Sequence, residues 1–96
     1  MARSSRKQIQ PLLGPDKAFG LDFREFRETK QISQERLALE AGLDRTFVSM
    51  IERGIRSPTV RSVVQLTATL EVRPSQILAR MEQMLDEARA APAKRR

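Results

Sequence analysis

Six side chains between residues 45 and 53 stand out for their chemistry: Arg45, Thr46, Ser49 and Arg53, with part of Phe47 and Met50. They fall on one flank of a short helix and offer donors and positive charge. An arginine donates through a planar fork that fits phosphate oxygens or the O6 and N7 edge of guanine, and hydroxyls bind phosphate or base edges. Such a set recognises; it does not catalyse. The protein has no histidine and no cysteine, which removes imidazole bases, thiol nucleophiles, disulfides and thiolate zinc sites. No paired carboxylates, phosphate loop or activated nucleophile is visible, and the spaced glutamates do not form the acidic cluster that a metal-dependent nuclease needs. The expectation is a protein without enzymatic activity, metal or cofactor.

The elements that must hold this flank are helical. Apolar residues recur at spacings of three and four, with no alternating run and no hairpin signal, which predicts an all-α chain. Phe19, Phe23 and Phe26 share one face of a first helix near 18–30, and Ile32 packs past its end. Ser33 caps a second helix over 34–41, with Glu35 in its first turn, and Gly42 ends it. Asp44 caps a third helix over 45–53, which Gly54 ends. Thr59 opens a fourth helix to about residue 70, and Pro74 sits in the opening turn of a fifth that runs to about residue 90. The short connection through Gly42 makes the second and third helices a helix-turn-helix pattern. Ala38 must be small where the third helix crosses it, Gly42 must take a positive φ, and Val48 with Ile51 fill the angle between the two helices. The opposite flank is left free to enter a major groove.

A chain of 96 residues holds one core. It carries 18 Lys and Arg against 12 Asp and Glu, a net charge of +6. That excess permits a polyanionic partner, but its distribution is uneven. Residues 1–17 hold four positive charges and one negative, 18–57 hold seven of each, 58–79 hold two and one, and 80–96 hold five and three. The middle is neutral, so bulk charge alone argues weakly for nucleic acid. Pro11, Gly14, Pro15 and Gly20 interrupt the start of the chain and Pro92 the end. The expected organisation is a basic arm at 1–17, a domain at 18–90 and a basic tail at 91–96. No run is apolar enough for export or a membrane span, which predicts a cytoplasmic protein with no membrane partner.

The stretch SQERLALEAGLDRTFVSMIERGIRSPTVRSVVQLTATLEVRPSQIL resembles the Cro and phage-repressor (XRE) type of helix-turn-helix regulator, over about residues 19–78. Within it, LDRTFVS followed by IERG is similar to the small controller proteins of restriction-modification systems. The resemblance implies a compact five-helix, lambda-repressor-like domain with the helix-turn-helix at helices two and three. It also implies a transcriptional regulator that binds double-stranded DNA at a palindromic operator as a homodimer, with no small-molecule ligand. Carried over by position, it places Arg45, Thr46, Phe47 and Met50 on base edges and Gln34, Ser49, Arg53 and Arg56 on the DNA backbone. It implies a structural pairing of Arg27 with Glu52. Two positions depart from the family pattern: Gln31 and Glu71 stand where glycine is usual, and both are expected to weaken the turn geometry. Phe47 stands where many relatives carry tyrosine, removing one possible hydrogen bond to phosphate.

Other readings compete at several positions. An arginine in the first turn of an exposed helix is usually solvated surface. Phe47 lies near Val48 and Ile51 and suits the core as well as a thymine methyl, and Met50 reads no hydrogen-bond pattern. On the fifth helix, Ile77, Leu78, Met81, Met84 and Leu85 form an apolar stripe longer than a compact domain needs. It is expected to be a dimer interface, spacing two recognition helices for half-sites about 34 Å apart. The alternative function is an antitoxin-type or protein-interaction module, with that stripe as its protein-binding surface and DNA contact serving autoregulation. A stable symmetric dimer in sedimentation favours the regulator, and a monomer that captures another protein favours the module.

Overall fold

A computed structural model describes residues 13–94, and side chains through residue 90. Five helices follow in order: α1 (Pro15–Thr29), α2 (Gln34–Ala41), α3 (Arg45–Glu52), α4 (Val60–Leu70) and α5 (Pro74–Lys94). Among the described residues there is no strand.

Local chemistry sets each boundary. Ser33 Oγ accepts from Arg36 N–H, Asp44 Oδ1 from Thr46 N–H and Thr59 Oγ1 from Ser62 N–H, so α2, α3 and α4 each open on a side-chain cap. α1 begins at Pro15, three residues before the expected start, because Gly14 serves as its cap and proline suits a first helical position that needs no N–H. The expected basic arm therefore ends in helix at Pro15–Lys17, and its first twelve residues lie outside the described residues. Gly20 breaks nothing. It lies inside α1 at the crossing with α3, where a Cβ would collide with the carbonyl oxygens of Ile51 and Glu52.

The helices end alike. Leu43 N–H reaches back to the Ala38 carbonyl and Ile55 N–H to that of Met50, with Gly42 and Gly54 in the left-handed region at φ 73° and 74°. Ile32 N–H donates to Arg27 and Val72 N–H to Thr67 in the same way. There the left-handed residues are Gln31 at φ 59° and Glu71 at φ 60°. The expected weakening of turn geometry does not occur. Both side chains accept the conformation, and the closing hydrogen bonds form as they do at the glycines.

One core joins all five helices. Phe19 and Phe23 of α1, with rings stacked 6.1 Å apart, meet Leu37, Ala38 and Ala41 of α2, Val48 and Ile51 of α3, Leu66 and Leu70 of α4 and Ile77 of α5. Only the first half of α5 takes part, through Ile77 and Met81. At about 1.5 Å per residue, its 21 residues carry Met84 and Leu85 beyond this cluster.

Candidate nucleic-acid interface

The recognition flank is held by packing on its opposite side. Val48 and Ile51 are fully buried, which turns Arg45, Ser49 and Arg53 together with Thr46 and Met50 outward, within an arc of about 140° at 100° per residue. Arg45, Thr46 and Arg53 are exposed, whereas Ser49 and Met50 are half-buried. Arg45, Thr46, Ser49 and Arg53 line a shallow open depression.

Charge is sorted in space more sharply than along the chain. Arg24 pairs with Glu28, Arg36 with Glu40, Arg80 with Glu25, and Arg27 with Glu52. The carboxylates of the neutral middle segment are thus largely occupied elsewhere. Among the described residues no carboxylate lies within 4 Å of the guanidinium of Arg45, Arg53 or Arg56. Net neutrality between 18 and 57 hides a cationic face built on α3 and the loop that follows it.

Behind the flank lies a buried polar knot. Arg27 donates Nε to Glu52 Oε2 at 2.6 Å and Nη2 to Oε1 at 3.1 Å, with a third donation from Nη1 to the Ile32 carbonyl at 2.6 Å. The implied pairing of Arg27 with Glu52 is present as a bidentate fork. Gln34 Nε2 adds a hydrogen bond to Glu52 Oε1 at 2.9 Å. This side chain, expected on the DNA backbone, has one amide hydrogen committed inside the protein and a second one left. The knot ties α1, the turn at Ile32, the start of α2 and the end of α3 together.

Phe47 is half-buried against the core, and the guanidinium of Arg56 lies over its ring with Cζ 5.3 Å from the centroid. That contact was missed in the sequence because Arg56 sits in a loop with no periodicity. The start of α1 is also stitched to this loop, with Ser57 donating to Asp16 Oδ1 at 2.7 Å and Lys17 Nζ donating to the Arg53 carbonyl at 3.4 Å. Assigning 15–17 to an arm concealed it.

The fifth-helix stripe divides. Ile77 has no accessible surface in the single chain, so it belongs to the monomer core and not to a dimer interface. Met81 is half-buried against that core. Leu78 is exposed, and Met84 and Leu85 are half-buried.

Asp22, in α1, is the residue the sequence reading passed over. It is fully buried, and neither carboxylate oxygen has a hydrogen-bond partner among the described residues. Burial raises its pKa from 3.8 to about 6, against the opposing pull of Arg80 and with a smaller push from Glu25. The signal was present, since position 22 shares the helix face of Phe19, Phe23 and Phe26.

A family model described as helix-turn-helix matches residues 23–77. The chain belongs to the helix-turn-helix family. It is 39% identical to the control protein C.BamHI of Bacillus amyloliquefaciens over 61 residues, covering 62% of this chain and 75% of that one. The crystal structure of the restriction-modification controller protein C.AhdI from Aeromonas hydrophila superposes with a TM-score of 0.63 at 38% identity, covering 64% of this chain and 92% of that one. The controller protein C.Esp1396I, solved as a tetramer on its natural 35 base-pair operator, gives a TM-score of 0.67 at 28% identity over 74% and 93% of the two chains. Among the described residues no helix is long and apolar enough to cross a membrane.

Proposed function

We propose that this chain is a sequence-specific DNA-binding transcription regulator of the controller type, working in the bacterial cytoplasm as a homodimer on a palindromic operator. The observation that carries the reading is the exposed, unneutralised flank of α3. Arg45, in the first turn, offers its fork to guanine O6 and N7, worth about 1 to 3 kcal/mol against a wrong base. Thr46 stands beside it for a thymine methyl or a base acceptor, and Met50 borders the groove as an apolar surface. Ser49, Arg53 and the second amide hydrogen of Gln34 fit phosphate oxygens on either side.

A single α3 covers too little of a duplex for tight specific binding, so the reading includes a dimer. Leu78, Met84 and Leu85, with the outer side of Met81, are its proposed contacts; Ile77 is excluded by its burial. C.Esp1396I binds its operator as a tetramer, which supports an oligomeric form for a chain this similar.

The test is selection of bound duplexes from a random pool. Recovery of an inverted repeat with half-sites about 34 Å apart, and affinity that falls steeply with salt, is the expected result. A pool that yields no enriched sequence overturns the reading.

A further inference from the structure

The first turns of α1 lie against the end of the reading helix and the loop that follows it. Ser57 Oγ donates to Asp16 Oδ1 at 2.7 Å, and Lys17 Nζ donates to the Arg53 carbonyl at 3.4 Å, where a cation suits the negative end of α3. One turn further, Gly20 brings the α1 backbone so close that a Cβ would collide with the Ile51 and Glu52 carbonyl oxygens. Gly54 does the same from the loop side, since a Cβ there would stand 2.8 Å from Lys17 Cα. Backbone therefore meets backbone twice along this seam, and such contacts have no rotamer with which to adjust. Arg53, at the end of α3, lines the same depression as Arg45, Thr46 and Ser49. The seam thus holds the element that carries the reading flank.

We propose that Asp16 and Gly20 are positioning residues for DNA recognition: they set the tilt of α3 and the place of the loop after it, so that the exposed flank meets the duplex in register. This rests on the DNA-binding reading above. Both residues precede the matched segment 23–77 and lie outside the helix-turn-helix itself. The two ends of α3 are coupled as a lever. Val48 and Ile51 are buried and act as the pivot, and Arg45 stands about 10 Å along the axis from Glu52. A displacement at the Gly20 seam therefore swings the Arg45 end the other way. Recognition by paired donors tolerates about half an ångström of such movement. Folding tolerates the loss of the polar contact, because Ser57 is exposed and Asp16 half-buried, and hydrogen bonds open to water add little to stability. The contact is better suited to orienting the reading helix than to holding the fold together.

The experiment compares Asp16→Ala with Asp16→Asn in the full chain, by fluorescence anisotropy on the selected operator and on a duplex of unrelated sequence. Both substitutions remove one negative charge beside the cationic face, and only asparagine keeps an acceptor for Ser57. Asp16→Ala is expected to bind the operator about threefold to tenfold more weakly than Asp16→Asn, the loss of one hydrogen bond. The difference should vanish on the unrelated duplex, and also in a Ser57→Ala background, where the shared contact is already gone. Equal operator affinities of the two variants overturn the role of Asp16. So does a difference that persists without Ser57 or is the same on both duplexes. Gly20→Ala should lower the ratio of operator to unrelated-duplex affinity by about tenfold or more, with circular dichroism showing a folded chain at the temperature of measurement. A folded Gly20→Ala chain with the wild-type ratio overturns the role of Gly20. If that variant does not fold, the comparison at Asp16 decides, because its hydrogen bond lies at the surface. A wild-type chain that binds both duplexes alike removes the DNA-binding reading itself, whereas a discriminating wild type with indifferent variants removes only this assignment.

Discussion

Arg27 of α1 and Glu52 at the end of α3 meet inside the protein, two hydrogen bonds locking one guanidinium to one carboxylate. Arg27 is 8% exposed and Glu52 3%. The pair fixes the angle between α1 and the recognition helix, and through Gln34 it also fixes the start of α2. A charge pair so far from water gives orientation more surely than net stability, because its desolvation cost offsets much of its attraction.

Removing one partner therefore does more harm than removing both. Arg27→Met is expected to lower unfolding free energy by about 3 to 5 kcal/mol, leaving Glu52 buried and without its cation. For a domain of this size that is a large fraction of the total. The double variant Arg27→Met with Glu52→Leu should recover much of the loss. Urea unfolding of the three proteins decides, and a double variant no more stable than the single one counts against the account.

Asp22 gives stability a pH dependence of definite sign. Its pKa is raised from 3.8 to about 6 on folding, so between those values the native chain holds a proton that the unfolded chain has released. Stability from this group is fully present below the unfolded value, falls as pH rises towards 6, and stays low above it. Arg80 on α5 faces the carboxylate and Glu25 lies beside it on α1, and neither supplies a hydrogen bond. Asp22→Asn removes the buried charge and should raise unfolding free energy at pH 7.5 by about 1 to 3 kcal/mol. It should also flatten the profile between pH 4 and 6.5. An unchanged profile in thermal unfolding across that range would show that Asp22 is not its source.

The helices and their caps were legible because each is decided locally. Ser33, Asp44 and Thr59 open helices with the hydrogen bonds their side chains predict. Gly42 and Gly54 close α2 and α3 in the conformation glycine favours. What escaped the reading depends on distant contacts. Gly20 looks like a breaker until α3 is brought against it, and Ile77 looks like interface until the core closes over it. Position 56 carries no periodic signal, so nothing in the chain announces that its guanidinium rests on Phe47. The cationic face was hidden for a related reason, since ion pairing redistributes charge in a way that a count along the chain does not show.

Gln31 and Glu71 occupy backbone positions that cost a side chain energy. At φ near 60° the Cβ crowds the carbonyl oxygen, and glycine escapes that penalty. Gln31→Gly and Glu71→Gly should each raise stability by about 0.5 to 1 kcal/mol after the greater freedom of glycine in the unfolded chain is subtracted. Gly54→Ala should do the reverse and by more, because its Cβ would stand 2.8 Å from the Lys17 Cα as well as in the left-handed region. Differential scanning calorimetry distinguishes the two directions. A lower melting temperature in both glycine variants contradicts the strain argument.

The proposed dimer surface needs a variant that spares the core. Met81 packs against the buried cluster, so an acid there confuses unfolding with dissociation. Leu78 is 44% exposed, and Leu85 lies two turns further along the same helix. Leu78→Asp with Leu85→Asp should leave helix content and melting of the monomer close to wild type while sedimentation shifts from dimer to monomer. Operator affinity should fall steeply, because each half-site then binds alone. A dimer that survives both substitutions places the interface elsewhere.

Arg45 is the sharpest test of the reading face. Its side chain is exposed, has no carboxylate partner among the described residues and follows directly on the Asp44 cap that opens α3. Nothing in the fold depends on it, so Arg45→Ala should leave melting and dimer formation unchanged. If Arg45 donates to guanine, the variant should lose discrimination at one position per half-site by about 1 to 3 kcal/mol and tolerate any base there. A phosphate contact predicts a different pattern: equal weakening on all sequences and a shallower salt dependence. Binding of wild type and variant to the single-base series separates these outcomes. An unchanged preference at every position would show that the first turn of α3 does not read sequence, which removes the residue on which the proposed mode of recognition is centred.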